Sequence, residues 1–243
     1  MLTEASACDA TDDDLCNVAG KKNKNSIIFL MANNLYLYFM SNISSQKVPA
    51  QQEGEQADII ETVKAANEKD ATQIFKEAKQ RLFDVSHWND ISKGISASFL
   101  LTDALGDAKQ GIPEPGDYFK INIPGPGSAA GKGYDWVKVE LVEDISDAAH
   151  SSESAVIKVR PAEDPTKKEG IAHFFEEEAT SSFIVKRENN LVTAAIHGRN
   201  EKPNMDTEKV SDKIRNALVG TAAAKGMAKI QWQKLVNGLL GIR

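Results

Sequence analysis

The stretch "HGRNEKPN", His197 to Asn204, is the densest polar cluster in the chain. His197 can exchange protons near neutral pH. Glu201 can accept them, and Arg199 offers a planar fork for a carboxylate or phosphate. Together they would suit hydrolysis of an anionic small molecule, with His197 and Glu201 as catalytic candidates and Arg199 and Asn200 as ligand contacts. A structural reading uses the same residues differently. Gly198 turns the chain, Asn200 and Asn204 bond the backbone, and Arg199 pairs with Glu201 or a helix carboxylate.

The second candidate is "IPGPGSAAGKGYDW", Ile123 to Trp136. A phosphate-cradling loop needs G-x-x-x-x-G-K-S/T between a strand and a helix N-terminus. Here five residues separate Gly125 from Gly131, and Gly133 stands where a Ser or Thr should hold Mg²⁺. The dinucleotide pattern G-x-G-x-x-G fails at Ala130. The residues after Gly133, "YDWVKVELV", alternate like a strand. The segment therefore reads as a long hairpin connector, with Lys132 at its tip able to meet an anion and Trp136 able to face a ligand cavity.

Other chemistries have less support. His173 and Glu177 have the i, i+4 spacing of a helical metal pair, but they sit in a charge run that suits a solvated face. No G-x-S-x-G elbow exists. Ser181 and Ser182 lie on opposite faces of an expected strand, and a serine–histidine–acid triad would have to assemble in space. Cys8 and Cys16 are the only cysteines, so the remainder has no thiolate nucleophile and no Cys-ligated zinc. No cofactor and no metal is expected.

The elements that must position these residues follow from periodicity. From Gln51 to Phe83 the pattern reads as helical: Ile59, Ile60, Val63 and Ala66 share a face, and Asp70 can cap a second helix through Ile74, Phe75, Ala78 and Leu82. The segment "LFDVSHW" then packs Leu82, Phe83, Val85 and Trp88 near the helix-to-strand junction. Next the period becomes two. Strands are expected at "ISASFLLTD", "DYFKINI", "DWVKVELVED" and "SAVIKVRP", followed by a hairpin of "TSSFIVKREN" and "LVTAAIHG" about Asn189 and Asn190. Short connections predict antiparallel pairing. Asp206 or Thr207 caps a helix through Val210, Ile214, Ala217, Leu218 and Thr221. Gly226 breaks or kinks it before Ile230, Leu235, Val236 and Leu239. The fold class is α+β: about six antiparallel strands in a curved sheet, with N-terminal helices and a long C-terminal helix on one face.

Composition bounds the rest. The chain has 243 residues and a formal charge of −6, with no basic stripe, which argues against nucleic-acid binding. Residues 1–50 read as an extension and residues 51–243 as one α+β domain. Within the extension, "KKNKNSIIFLMANNLYLYFM" imitates a secretory signal, but Asn33 and Asn34 interrupt an apolar run too short to span a bilayer. A start at Met40 is a third reading. A cytoplasmic protein without stable membrane insertion is expected, or an exported one if Lys21–Ala50 is a signal peptide.

The order of elements from Ala71 to Leu240 resembles that of the START-like helix-grip domains. In these, a curved antiparallel sheet wraps a long C-terminal helix around an apolar cavity. The resemblance is one of arrangement. Gly226 interrupts the helix that is continuous in that family, and no strand precedes the helices where the family has its first. The resemblance implies a binder of hydrophobic ligands. Core packing is the default role of Trp88, Trp136 and Trp232; the alternative is a cavity between the curved sheet and the terminal helix, with Trp136 facing it. The expected function is a non-enzymatic binding or interaction protein with a small apolar or anionic ligand. The alternatives are the hydrolase above and a homo-oligomer subunit docking through its N-terminal helices.

Overall fold

The computed structural model describes residues 47–92, 97–123, 128, 130–147, 150–167, 170–205 and 222–242. The expected cap and first half of the C-terminal helix, residues 206–221, and the signal-like run lie outside these. The architecture is α+β with a seven-stranded antiparallel sheet. Its strands are β1 (Glu55–Lys64), β2 (Ser98–Thr102), β3 (Tyr118–Asn122), β4 (Asp135–Ile145), β5 (Ser152–Pro161), β6 (Thr180–Glu188) and β7 (Leu191–Glu201). Helix α1 (Glu68–Phe83), the short α2 (Trp88–Ile91) and α3 (Ala222–Leu240) complete it.

The sheet order is β1-β7-β6-β5-β4-β3-β2. Strands β2 to β7 form a meander. The first strand joins the far edge by pairing with the last, Ile59 opposite Ile196 and Val63 opposite Val192. Because β1 and β2 occupy opposite edges, the chain between them must cross the whole sheet. Helices α1 and α2 make that crossing, which puts them on one face. There Ala71, Phe75, Ala78 and Leu82 bury the stripe of α1. They meet the inward residues of alternate strand positions, Phe99, Leu101, Phe119, Val137, Val139, Ile157, Phe183, Val185 and Ile196.

Trp88 lies at the centre, fully buried. Its ring centroid is 5.3 Å from that of Phe99, 5.8 Å from Phe119 and 4.7 Å from Phe183. Trp232 of α3 closes the cluster, 6.2 Å from Phe99 and 5.7 Å from Phe183. The Trp88 indole N–H donates to the carbonyls of Arg81 and Leu82, which satisfies acceptors left open at the end of α1. Leu235, Val236, Leu239 and Leu240 of α3 are buried against the same core. Gly238 lets α3 approach α2 so closely that an added Cβ would strike the Ile91 carbonyl.

Several expectations need correction. The pattern read as helix from Gln51 is an edge strand over Glu55–Lys64. Ile59 and Val63 are four apart, a spacing that serves one face of a helix and one face of a strand equally. Pairing with β7 decides between them. This strand also raises the count from about six to seven, and it stands before the helices, where the sequence showed none. The cap of α1 is Asn67, whose Oδ1 accepts from the Asp70 amide at 2.9 Å while its Nδ2 donates to Asp70 at 2.9 Å. Asp70 is the reciprocal partner one turn on. Helix α3 runs through Gly226 without interruption. Residues Ile171 to Ala179 contain no helix, so His173 and Glu177 do not share a helix face. His173 stacks on Phe174 at 4.2 Å instead.

After Gly133 the chain enters β4, which pairs antiparallel with β3, so the glycine-rich segment joins neighbouring strands. Trp136 lies on the face turned away from the helices, hereafter the outer face. It is buried with Ala130 and Ala172 against Tyr118 and Tyr134. The expectation that it faces a cavity beside the terminal helix is therefore overturned by strand alternation: Val137 and Val139 take the inner face.

Candidate functional site

The first part of the polar cluster, His197 to Glu201, belongs to a strand, because β7 continues to Glu201. Val192, Ala194 and Ile196 point to the helices. Thr193, Ala195, His197 and Arg199 consequently point outward. Register with both neighbours arranges the outer face in rows. Thr62, Thr193 and Lys186 form one row, Ile60, Ala195 and Ile184 the next, and Asp58, His197 and Ser182 the third. An apolar stripe thus lies between two polar rows.

The chain from Lys47 to Gln51 forms a wall beside these rows. Val48 packs on Ile184 and Ala195. The Lys47 carbonyl accepts from Ser182 Oγ at 3.3 Å, and Lys47 Nζ meets Glu143 at 2.9 Å. Asn200 secures the rest. Its φ of +55° is a left-handed conformation that asparagine tolerates. Its Oδ1 accepts from the amides of Gln52 at 2.8 Å and Glu53 at 3.3 Å, while its own N–H donates to Gln51 Oε1 at 2.9 Å. Between wall and strands lies an open groove of about 620 Å³, lined by Val48–Gln51, Gln56, Ile60, Thr62, Ile184, Lys186, Thr193, Ala195, His197 and Arg199.

The polar end of the groove is organised by Asp58. Its Oδ1 lies 2.5 Å from His197 Nδ1 and 2.7 Å from Arg199 Nη2. Arg199 Nη1 donates to the carbonyls of Gly198 at 2.7 Å and Ala57 at 3.2 Å. Burial pushes the Asp58 carboxyl upward, but hydrogen bonds and charge from His197 and Arg199 together outweigh it and hold the group below the ordinary aspartate range. Asp58 is therefore a carboxylate, which only accepts hydrogen bonds. The proton between it and His197 must sit on Nδ1. The arrangement is a histidine oriented by an acid, with an arginine fixing the acid.

Of the residues expected to form a site, the structure brings His197 and Arg199 together and seats Asn200 in the wall. Glu201 goes elsewhere. Its carboxylate occupies the space that a Cβ on Gly198 would fill, on the face of β7 opposite His197. Lys132, with φ +53°, donates to Thr166 Oγ1 at 3.1 Å. Trp136 lies under the ammonium-bearing Lys120, whose Nζ is 5.6 Å from its ring and 3.9 Å from that of Tyr134. These two residues belong to a different part of the sheet from His197. The member of this cluster that sequence reasoning missed is Asp58. Its signal was the alternation of Asp58, Ile60 and Thr62 against Ile59 and Val63.

The row Asp58–His197–Ser182 has the composition of an acid–histidine–nucleophile relay, but its surroundings do not suit acyl transfer. Ser182 is 0% exposed beneath the wall, and its hydroxyl donates to Lys47. The strand amides around it serve the sheet ladder, so no pair of donors converges on an oxyanion. Among the described residues, no group of three His, Cys, Asp or Glu is placed to hold a metal ion. No helix among them is long and apolar enough to cross a membrane. A second concavity of about 290 Å³, between β3, β4 and β5, is lined by Tyr118, Lys138, Glu140 and Arg160 among others. Arg160 Nε there meets Glu140 at 2.5 Å.

No family model matches the sequence, and none of the curated proteins does. Among solved structures, the chain is similar to major latex-like protein 151 from Panax ginseng. That match has 17% identity and a TM-score of 0.30, over 72% of this chain and 97% of that one. It is similar also to norcoclaurine synthase from Thalictrum flavum in complex with dopamine and hydroxybenzaldehyde, with 11% identity over 76% and 94% and a TM-score of 0.29. A third is Ara h 8.0201, with 11% identity over 74% and 99% and a TM-score of 0.28. Likeness at this level does not extend to ligand or chemistry.

Proposed function

We propose that this chain is a small-molecule-binding protein whose ligand lies on the outer face of the sheet, in the groove between β1, β7, β6 and residues 48–51. The observation that carries the reading is the groove itself: about 620 Å³, with an apolar floor of Ile60, Ala195 and Ile184 and a polar end at His197. Volumes of this order, mostly apolar with a few placed polar groups, suit small ligands. The space between sheet and helices favours the outer face too, since the rings of Trp88, Phe99, Phe119, Phe183 and Trp232 occupy it. A non-enzymatic role fits the sealing of Ser182.

Anilinonaphthalene sulfonate, an amphipathic dye, provides the test. Saturable binding at one site is expected. Ile60 is 54% exposed, so Ile60→Glu leaves the fold intact while setting a charge on the groove floor. It should weaken the dye about tenfold or more, the loss of roughly 1.4 kcal/mol of contact. Ile230→Glu, on the exposed side of α3, should change nothing. Equal dye affinity in all three proteins would remove the groove as the site.

A further inference from the structure

We infer that the ligand of this groove is a single-chain amphiphile with a carboxylate head, held by Lys186 and the Thr62–Thr193 pair at the end opposite His197. The inference rests on the groove being the binding site. It follows from charge and from which donors are still open. Among the described residues the lining carries Lys186 and Arg199 and no Asp or Glu. Three carboxylates stand around it, each joined to a cation: Asp58 to Arg199 at 2.7 Å, Glu143 to Lys47 at 2.9 Å and Glu188 to Lys186 at 3.3 Å. Arg199 keeps unused N–H groups, but Asp58 answers its charge and two backbone carbonyls hold its Nη1. The Lys186–Glu188 pair is the longest of the three, with side chains 33% and 35% exposed. An ion pair so open to water contributes little, and a new partner can share its cation.

Strand register sets the donors side by side. Thr62, Thr193 and Lys186 form one row across three strands, about 4.8 Å from one strand to the next. The two threonine Oγ atoms are 2.9 Å apart, so one hydroxyl donates to the other and the second keeps its proton to give. The Lys186 ammonium has three donors, of which Glu188 takes one. Glu188 follows Lys186 along β6, on the side away from Ile184, so it does not stand between the ammonium and the apolar stripe. A carboxylate over this row accepts from both Lys186 and the threonine pair, and bonds to an ionised partner are the strong ones. One ammonium matches one negative charge, which favours a carboxylate over a phosphate monoester with nearly two. The tail then crosses Ile60, Ala195 and Ile184 beside Val48. His197 ends that path four residues along β7 from Thr193, about 13 Å.

Octanoate and 1-octanol isolate the head, because they share one chain length and differ in charge. In calorimetric titrations of the full chain near neutral pH, octanoate should bind about tenfold more tightly. Lys186→Met keeps the aliphatic stem and removes the charge. It should bring octanoate down to the affinity of octanol and leave octanol unchanged. Glu188→Gln removes the competing acid and should tighten octanoate about twofold. Ile60→Glu should weaken octanol as well, which ties both compounds to the groove. Equal affinities in the wild-type chain would overturn the head-group assignment and leave the groove standing, as would a preference for octanoate that survives Lys186→Met. Saturable binding of neither compound, or octanol binding that Ile60→Glu leaves unchanged, would instead overturn the groove as the site and the assignment with it.

Discussion

Asp58 ties the groove's polar end together through His197 and Arg199. A carboxyl whose folded value is depressed contributes stability above its ordinary range and loses that contribution as pH falls through the lowered value. Acid unfolding of the wild-type chain should therefore include a loss that Asp58→Asn does not show. The variant should be less stable near neutral pH and converge on the wild type in acid. The side chain is 36% exposed, so solvent screening limits the difference to about 1 kcal/mol. Urea midpoints measured across the acid range check it, and parallel pH profiles would contradict it. His197 and Arg199 were legible as functional candidates because their residue types announce reactivity. Their acid was not, since Asp58 lies 139 residues away from His197 in the chain and meets it only through strand register.

At the scale of elements, the far end of the sheet depends on a buried ion pair. Arg187 Nε lies 2.6 Å from Glu153 Oε2, with both side chains almost wholly buried. The same guanidinium donates to the His150 carbonyl at 2.6 Å and to the Asn189 carbonyl at 3.2 Å. One side chain thus fastens the β4–β5 connection to the turn of the β6–β7 hairpin. Arg187→Met would leave Glu153 as an unpaired buried charge, at a cost of about 3–5 kcal/mol. Denaturant unfolding should register that loss. A loss below about 1 kcal/mol would mean that water reaches Glu153. The hairpin itself was legible from Asn189 and Asn190, and Asn189 does take a positive φ of 55°. Strands β2 to β6 were legible as well, because their inward residues alternate cleanly. Strand β1 was not: its apolar spacing satisfies a helix and a strand, and the choice is made by a partner strand far along the chain.

For the whole molecule, the decisive feature is how the first strand and the helices divide the two faces of the sheet. The crossing from the β1 edge to the β2 edge fills the inner face with helices. The rings gathered around Trp88 then pack between the sheet and the described helices. Trp88→Ala removes the centre of that cluster and two hydrogen bonds to the end of α1, a loss of about 3–5 kcal/mol. Thermal unfolding should show a large drop in midpoint. If stability fell by less than about 1 kcal/mol, the interior would be far less tightly packed than these ring contacts indicate.

Sequence alone determined the α+β class, the antiparallel pairing of the strands and the connector role of the glycine-rich segment. Each follows from residues near one another in the chain: alternation, capping and turn preference. Tertiary structure decided which carboxylate meets His197, which face Trp136 and Glu201 take, and where the molecule leaves room for a ligand. These depend on register between distant strands and on which face the helices cover. A pattern of period two marks two faces on a strand, but it does not say which one the rest of the chain will bury.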